Sequence, residues 1–349
     1  MIIPMSAEEH SAHRDRRIPA AERVAEGVWT LPLRNHPGHM SFTFSYLVED
    51  AEGGVHVIDP GWDLDENLEA IRAALARTGR RGRGPASIIV THLHPDHMGL
   101  AERLRSGHGS PVVLHRWDEE AQRESAHWLA DAGRVRADLV AWGVPSERLE
   151  EVLGYVTGTP RVVIPADLHL EDGDLLPVPG RRLRAVHTPG HTPGHLCLLE
   201  EDQRLLFTGD HLLPVVTPGV GAAGHSAENP LRLYLDNLLT VRAYDDCQSL
   251  PGHEFRYRGI AARAAGIAAR HLRRTVEVEA VLAVDPGATT WAVASRLSWS
   301  RGWAGLTRHY LVSALRQTAM HADLVRSGAH LDALEAWGRP PVGPRPLGT

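Results

Sequence analysis

Four short apolar runs in this chain end in histidine or aspartate: SIIVTHLHPDH, LRAVHTPGHTPGH, RLLFTGD and CQSLPGH. Runs of this length, rich in Ile, Val and Leu and bounded by Gly and Pro, read as buried strands. The pattern constrains the fold, because strand ends far apart in sequence must meet along one sheet edge if the polar residues are to act together. Chance is a poor account of the first run. Histidine supplies 22 of the 349 residues, and H-x-H-x-D-H at that frequency arises on the order of once in two hundred such chains.

The geometry of HLHPDH follows from its backbone. His92 and His94 sit at i and i+2 after a strand, so an extended chain points both imidazoles to one face. Pro95 favours an extended conformation at His94. Asp96 and His97 fall where a helix begins, and an acidic side chain suits the positive end of the helix dipole. The two pairs can address neighbouring points, which suits two metal ions roughly 3.5–4 Å apart. HTPGHTPGH adds His187, His191 and His195 around Pro-Gly turns. FTGD and LPGHEF add Asp210 and His253 at strand ends. Imidazole with carboxylate suits zinc and also accommodates iron or manganese.

Along the rest of the chain, VWTLPL, FTFSYLVE and GVHVIDP read as strands and LDENLEAIRAALARTG as a helix. SIIVT, GLAERLRSG and PVVLHR extend a β-β-β-α-β-α-β order, the signature of sheets with helices packed on them. RVVIP reads as a further strand, and LRLYLDNLLTVRAY as a helix. Four regions are expected: a disordered polar N-terminus (1–21), an α/β catalytic domain (22–258), a helical cap inserted in it (118–160), and a C-terminal helical domain (259–349).

Composition narrows the function. The net charge of −6 disfavours nucleic acid as the main partner. Two cysteines, Cys197 and Cys247, make no disulfide framework. The N-terminus lacks the apolar core of a signal peptide, and no run approaches the ~18 apolar residues of a membrane span. A cytoplasmic protein is expected, and the apolar C-terminal helices suggest a homodimer.

The ordered set HLHPDH, TPGHTPGH, TGDHLL and PGHE resembles the metallo-β-lactamase superfamily, in its glyoxalase-II-like hydrolytic branch, over roughly residues 24–255. The resemblance implies an αββα sandwich with metals at one edge. It assigns His92, His94 and His191 to a first metal and Asp96, His97 and His253 to a second, with Asp210 bridging. His195 would support a ligand or loop, His187 would end a strand, and His225, in GAAGHSAENP, would face substrate. The C-terminal region, through TAMHADLV, resembles the winged-helix-like domain appended to some members.

The expected cofactor is a pair of divalent ions, zinc first. The expected reaction is attack of a bridging hydroxide on the carbonyl of a small thioester, ester or lactone, with Asp96 handling the proton. A metal-dependent RNA or DNA nuclease and a mononuclear iron persulfide dioxygenase are the alternatives. The stretch of about forty residues between Asp210 and His253 leaves no room for the large extra domain of many family nucleases.

Overall fold

A computed structural model describes residues 1–78, 84–158, 162–221 and 228–339. Two sheets stack face to face. The first takes β2 (Arg23–Ala25), β3 (Val28–Arg34), β4 (Phe42–Glu49), β5 (Val55–Ile58), β6 (Ile88–Ile89), β7 (Val112–His115) and β8 (Leu168–Leu170) in sequential order. The second runs β1 (Ile3–Pro4), β13 (Tyr257–Arg258), β12 (Gln248–Pro251), β11 (Leu205–Gly209), β10 (Leu196–Glu200) and β9 (Leu183–His187). β5 to β8 pair in parallel, as do β11 and β12, so β6, β11 and β12 end at a common edge.

Strand periodicity sorts the side chains. Phe42, Phe44, Tyr46 and Val48 of β4 point inward to Leu196, Leu198, Leu205 and Phe207 of the facing sheet, while Leu47 points outward. The outward face of the first sheet is covered by α2 (Asp65–Arg77) and α4 (Ala101–His108), which bury Ile71, Leu75 and Leu104. The outward face of the second, with Val186, Cys197, Leu199 and Leu206, is covered by α8 (Pro230–Val241) and α9 (Ile260–Val284). This is the expected four-layer αββα arrangement, with a helical C-terminal region.

The N-terminus is not frayed, contrary to expectation. β1 pairs with β13, and α1 (Ala7–Asp15) starts at Ser6, whose hydroxyl accepts from Glu9 N–H. Glu9 is fully buried and accepts from the Arg256 guanidinium at 2.6 Å, and Arg256 also pairs with Glu22. A polar helix held by a buried ion pair carries no apolar stripe, and this is why its sequence looks unstructured.

The expected strand RVVIP does not form in the part described; residues 162–167 run irregularly and pairing resumes at β8. The expected end of the second helix at Gly79 lies outside the described residues.

Between β7 and β8 come α5 (Arg116–Ala130), α6 (Ala132–Ala141) and α7 (Ser146–Thr157), where the cap was expected. They share one core with α10 (Thr290–Ser295) and α11 (Arg308–Arg326), and Trp128, Trp142, Trp291 and Trp303 pack into it. With α9 on the second sheet, and Leu324 of α11 and Leu334 of α12 (His330–Trp337) in the same cluster, a boundary at residue 258 cuts through continuous cores. The region after residue 258 is therefore not a separate packing unit. Its described residues hold helices and one 3-10 turn (Trp303–Gly305) and no strand, so no wing is present among them. His271 of α9 is buried.

Candidate metal centre

The edge at which β6, β11 and β12 end gathers the motif residues. After β6 the chain passes Val90, bends through Thr91, His92 and Leu93, and reaches His94 in extended backbone. The short helix α3 (Pro95–Met98) then begins, with Pro95 at its first position and Asp96 in its first turn. β9 ends at His187 and the Pro-Gly turns carry His191; β11 ends at Gly209 before Asp210; β12 ends at Pro251 before His253.

Three sets of ligand atoms converge, each within 4.8 Å: His92, His94 and His191; His92, His97 and Asp210; Asp96, His97 and His253. In the first, His191 Nε2 lies 3.2 Å from His92 Nε2 and 3.0 Å from His94 Nδ1. In the last, His97 Nε2 lies 3.3 Å from His253 Nε2. Asp210 Oδ1 stands 3.5 Å from His97 Nε2 and 3.4 Å from His253 Nε2, and Asp96 Oδ2 stands 3.4 Å from His253 Nε2.

The far side of each ring decides what these contacts mean. His191 Nδ1–H donates to the Gly219 carbonyl at 2.6 Å, His253 Nδ1–H to the Phe42 carbonyl at 2.8 Å, and His97 Nδ1–H to Asp59 Oδ2 at 2.9 Å. Thr91 Oγ1–H donates to Asp59 Oδ2 at 2.7 Å, so Thr91 Oγ1 accepts from His92 Nδ1–H at 3.1 Å. The Nε2 atoms of His92 and His191 are thereby left as lone pairs facing each other, while those of His97 and His253 face the carboxylates. Such a set is held together only by positive charge. Burial holds His92 and His191 below the usual imidazole range, and burial with His191 takes His94 down to about 3. Protons therefore do not supply that charge at the first set.

At the second set, burial opposes protonation of His97 and His253, but Asp210 and its carboxylate neighbours outweigh it and push both up. Burial likewise disfavours ionised Asp96 and Asp210, yet the same imidazoles hold both below the usual carboxylate range. Asp210 Oδ1 is buried without a hydrogen-bond donor. The space is kept open by Gly252, where a Cβ would meet His97 Cε1 at 2.6 Å and Asp210 Oδ1 at 2.7 Å. A set of five imidazoles and two carboxylates converging in this way fits divalent metal.

The remaining candidates fall into place around this centre. His195 Nε2 accepts from Asp210 N–H at 3.2 Å, and its Nδ1–H donates to Thr188 Oγ1 at 2.8 Å, so its ring fixes the backbone of Asp210. Gly209 is left-handed at φ +45, and a Cβ there would meet His195 Nε2 at 2.7 Å. His187 ends β9 and stacks on buried His115, 4.1 Å away, outside the three sets. His211 is buried behind Asp210, its ring edge-on to Tyr234. His225 lies outside the described residues.

Two carboxylates were missed from sequence. Asp59, itself left-handed at φ +54, accepts from Thr91 N–H, Thr91 Oγ1–H and His97 Nδ1–H. Asp118, in the first turn of α5, is fully buried; Oδ2 accepts from Leu93 N–H and Thr192 Oγ1–H at 2.8 Å each, and Oδ1 from Gly194 N–H at 2.6 Å. Burial pushes its carboxyl up to about 7 against those three donors. Neither residue sits in a metal-like spacing; VIDP was the only local hint for Asp59.

His36 and His39 sit edge-on to Trp62, at 4.7 and 5.3 Å. Next to His253 in the chain, Glu254 accepts from Val215 and Val216 N–H, and Arg263 donates to the carbonyls of both valines.

Comparison with known proteins bears on the family and the fold. The model of the family described as "Metallo-beta-lactamase superfamily" matches residues 40–246. An acyl-coenzyme A thioesterase, MBLAC2 of Bos taurus, is 31% identical over 173 residues, 47% of this chain and 56% of that protein. The chain thus spans little more than half the length of that relative. Among solved structures, a metallo-beta-lactamase family protein from Thermus thermophilus is similar at TM-score 0.69 and 28% identity, covering 88% of this chain and 96% of the other. A beta-lactamase domain protein from Burkholderia ambifaria shares the fold at TM-score 0.73, 24% identity and coverage of 88% and 89%.

Proposed function

The chain belongs to the metallo-beta-lactamase superfamily, and on that premise we propose that it is a dinuclear metal-dependent hydrolase of carbonyl substrates, with acyl thioesters first among them. One observation carries the reading: five buried imidazoles and two carboxylates turn their ligand atoms toward one another, and at His92, His94 and His191 burial keeps protons from supplying the charge that would hold them there. His92, His94 and His191 would hold one ion; Asp96, His97 and His253 would hold the other, with Asp210 shared. When bound, two divalent ions, zinc in the first instance, lower the pKa of water and polarise a carbonyl.

The chain's own residues do the rest. Asp59, Thr91, Gly219 and the Phe42 carbonyl fix which nitrogen of each ring faces inward. Asp96 keeps its side chain partly exposed, at 19%, and we give it the proton that water loses on adding to the acyl carbon. That proton leaves with the thiol as the carbon–sulfur bond breaks. The thioester assignment is supported by the similarity to the bovine thioesterase. The meeting of Asp96, His97 and His253 favours two metals over one.

The test is metal content by elemental mass spectrometry on wild type and Asp210→Ala, with acyl thioesters as substrates. The expected result is about two zinc ions per chain, fewer in the variant, with thioester hydrolysis lost alongside. A single iron unaffected by His253→Ala would overturn it.

A further inference from the structure

Asp118 is not among the candidate ligands, yet its carboxylate lies between the two loops that carry the first three. Its Oδ2 accepts from Leu93 N–H, the peptide between His92 and His94. The same oxygen accepts from Thr192 Oγ1–H, beside His191, and Oδ1 accepts from Gly194 N–H two residues further on. These loops belong to opposite sheets. The approach is close enough to require glycine at 194, where a Cβ would meet Asp118 N at 2.5 Å.

The helix that presents Asp118 is itself held firmly. The neighbouring Glu119 is buried, pairs with His169 and Arg123, and accepts from Ala166 N–H; Gln122 Oε1 accepts from Ile164 N–H at 2.8 Å. Further along α5, Trp128 and Leu129 enter the core shared with α10 and α11. Asp118 is thus the point at which the helical region touches the metal edge through a carboxyl group.

We propose that Asp118 is the positioning residue of the first metal site, holding the His92–His94 turn and the His191 turn at the separation that one ion requires. This rests on the dinuclear reading above. It assigns to α5 a part in metal affinity that a ligand list does not contain. The three donors all need an acceptor. Asn in place of Asp keeps one oxygen and turns an NH2 toward an N–H or O–H that has nowhere else to go.

The experiment uses the full chain loaded with Co2+, with a competing chelator to resolve two affinities and visible absorption to report ligand geometry. For Asp118→Asn the expected result is a loss of at least about tenfold in affinity for one ion, with a changed band for that ion and the other ion unaffected. Thr192→Val removes a single donor at nearly constant shape, and should give a smaller loss at the same ion; it carries the test should Asp118→Asn fail to fold. A merely structural role would lower the melting temperature of the metal-free protein and leave both affinities at the wild-type value, which would overturn the proposal alone. A wild type that takes up no Co2+ would overturn the dinuclear reading and this proposal with it.

Discussion

The His253 ring is oriented by Phe42: its Nδ1–H donates to the Phe42 carbonyl at 2.8 Å across the gap between the sheets. Phe44 N–H donates to Gly252 O at 2.7 Å and Tyr46 Oη–H to Pro251 O at 2.7 Å, so β4 of one sheet braces the whole approach to a ligand of the other. His253→Ala should therefore remove one ion and leave the backbone in place. The expected outcome is a halved metal content, with kcat/KM down by at least the 10–100-fold that loss of an outer partner costs. Elemental analysis beside circular dichroism checks it.

Asp118 makes a prediction about pH. Its native carboxyl is raised to about 7, against about 3.9 in an unfolded chain. Between those values the native state holds a proton that the unfolded state has lost, so the group's contribution to stability falls as pH rises from about 4 to 7. Measured by urea unfolding of the metal-free protein, wild type should lose of order a few kcal/mol relative to Asp118→Asn across that window, and nothing further above it. A constant difference would contradict the burial argument.

Val215 and Val216 hold their side chains in solvent, 48% and 45% exposed, beside the centre. The Glu254 carboxylate takes both of their N–H groups, and Arg263 reaches both of their carbonyls. A loop fixed this firmly with two apolar side chains displayed suits contact with an acyl chain. Replacing both by serine should lower kcat/KM for a decanoyl thioester about tenfold relative to an acetyl one, with metal content unchanged. An unaltered chain-length profile would remove these residues from specificity.

Arg256 is buried against fully buried Glu9. Its replacement by alanine strands a carboxyl in the interior and should destabilise by about 3–5 kcal/mol. A urea midpoint matching wild type would show that the N-terminal helix contributes nothing to stability.

Ile260, Ala264, Ile267 and Leu272 of α9 cover Val186, Cys197, Leu199 and Leu206. A chain ending at residue 258 exposes that sheet face. It should be insoluble, or give native-like far-ultraviolet but no near-ultraviolet circular dichroism. A soluble, cooperatively melting fragment would restore the two-domain division.

The metal edge was legible from sequence because its signals are local. A strand followed by His-x-His-Pro, or by Gly-Asp, carries its own geometry. What escaped detection works at a distance. Asp59 reaches Thr91 and His97, 32 and 38 residues on, and Asp118 reaches Gly194, 76 residues on. In sequence, Asp118 is an ordinary acidic residue in the first turn of a helix. The apolar face of α9 announced a helix but not the sheet beneath it, and α1 announced nothing, because an ion pair rather than a stripe secures it.

His92, His94, Asp96 and His97 come from the first sheet; His191, Asp210 and His253 come from the second. Each ion would therefore act as a rivet through the sandwich. His92 and His191 are 99 residues apart and His97 and His253 156 apart, so neither ion would have its full set of ligands before both sheets have formed. Metal would be held fully only by the folded chain. Once seated, it would slow the parting of the sheets, making the lifetime of the folded chain a matter of how fast the ions leave.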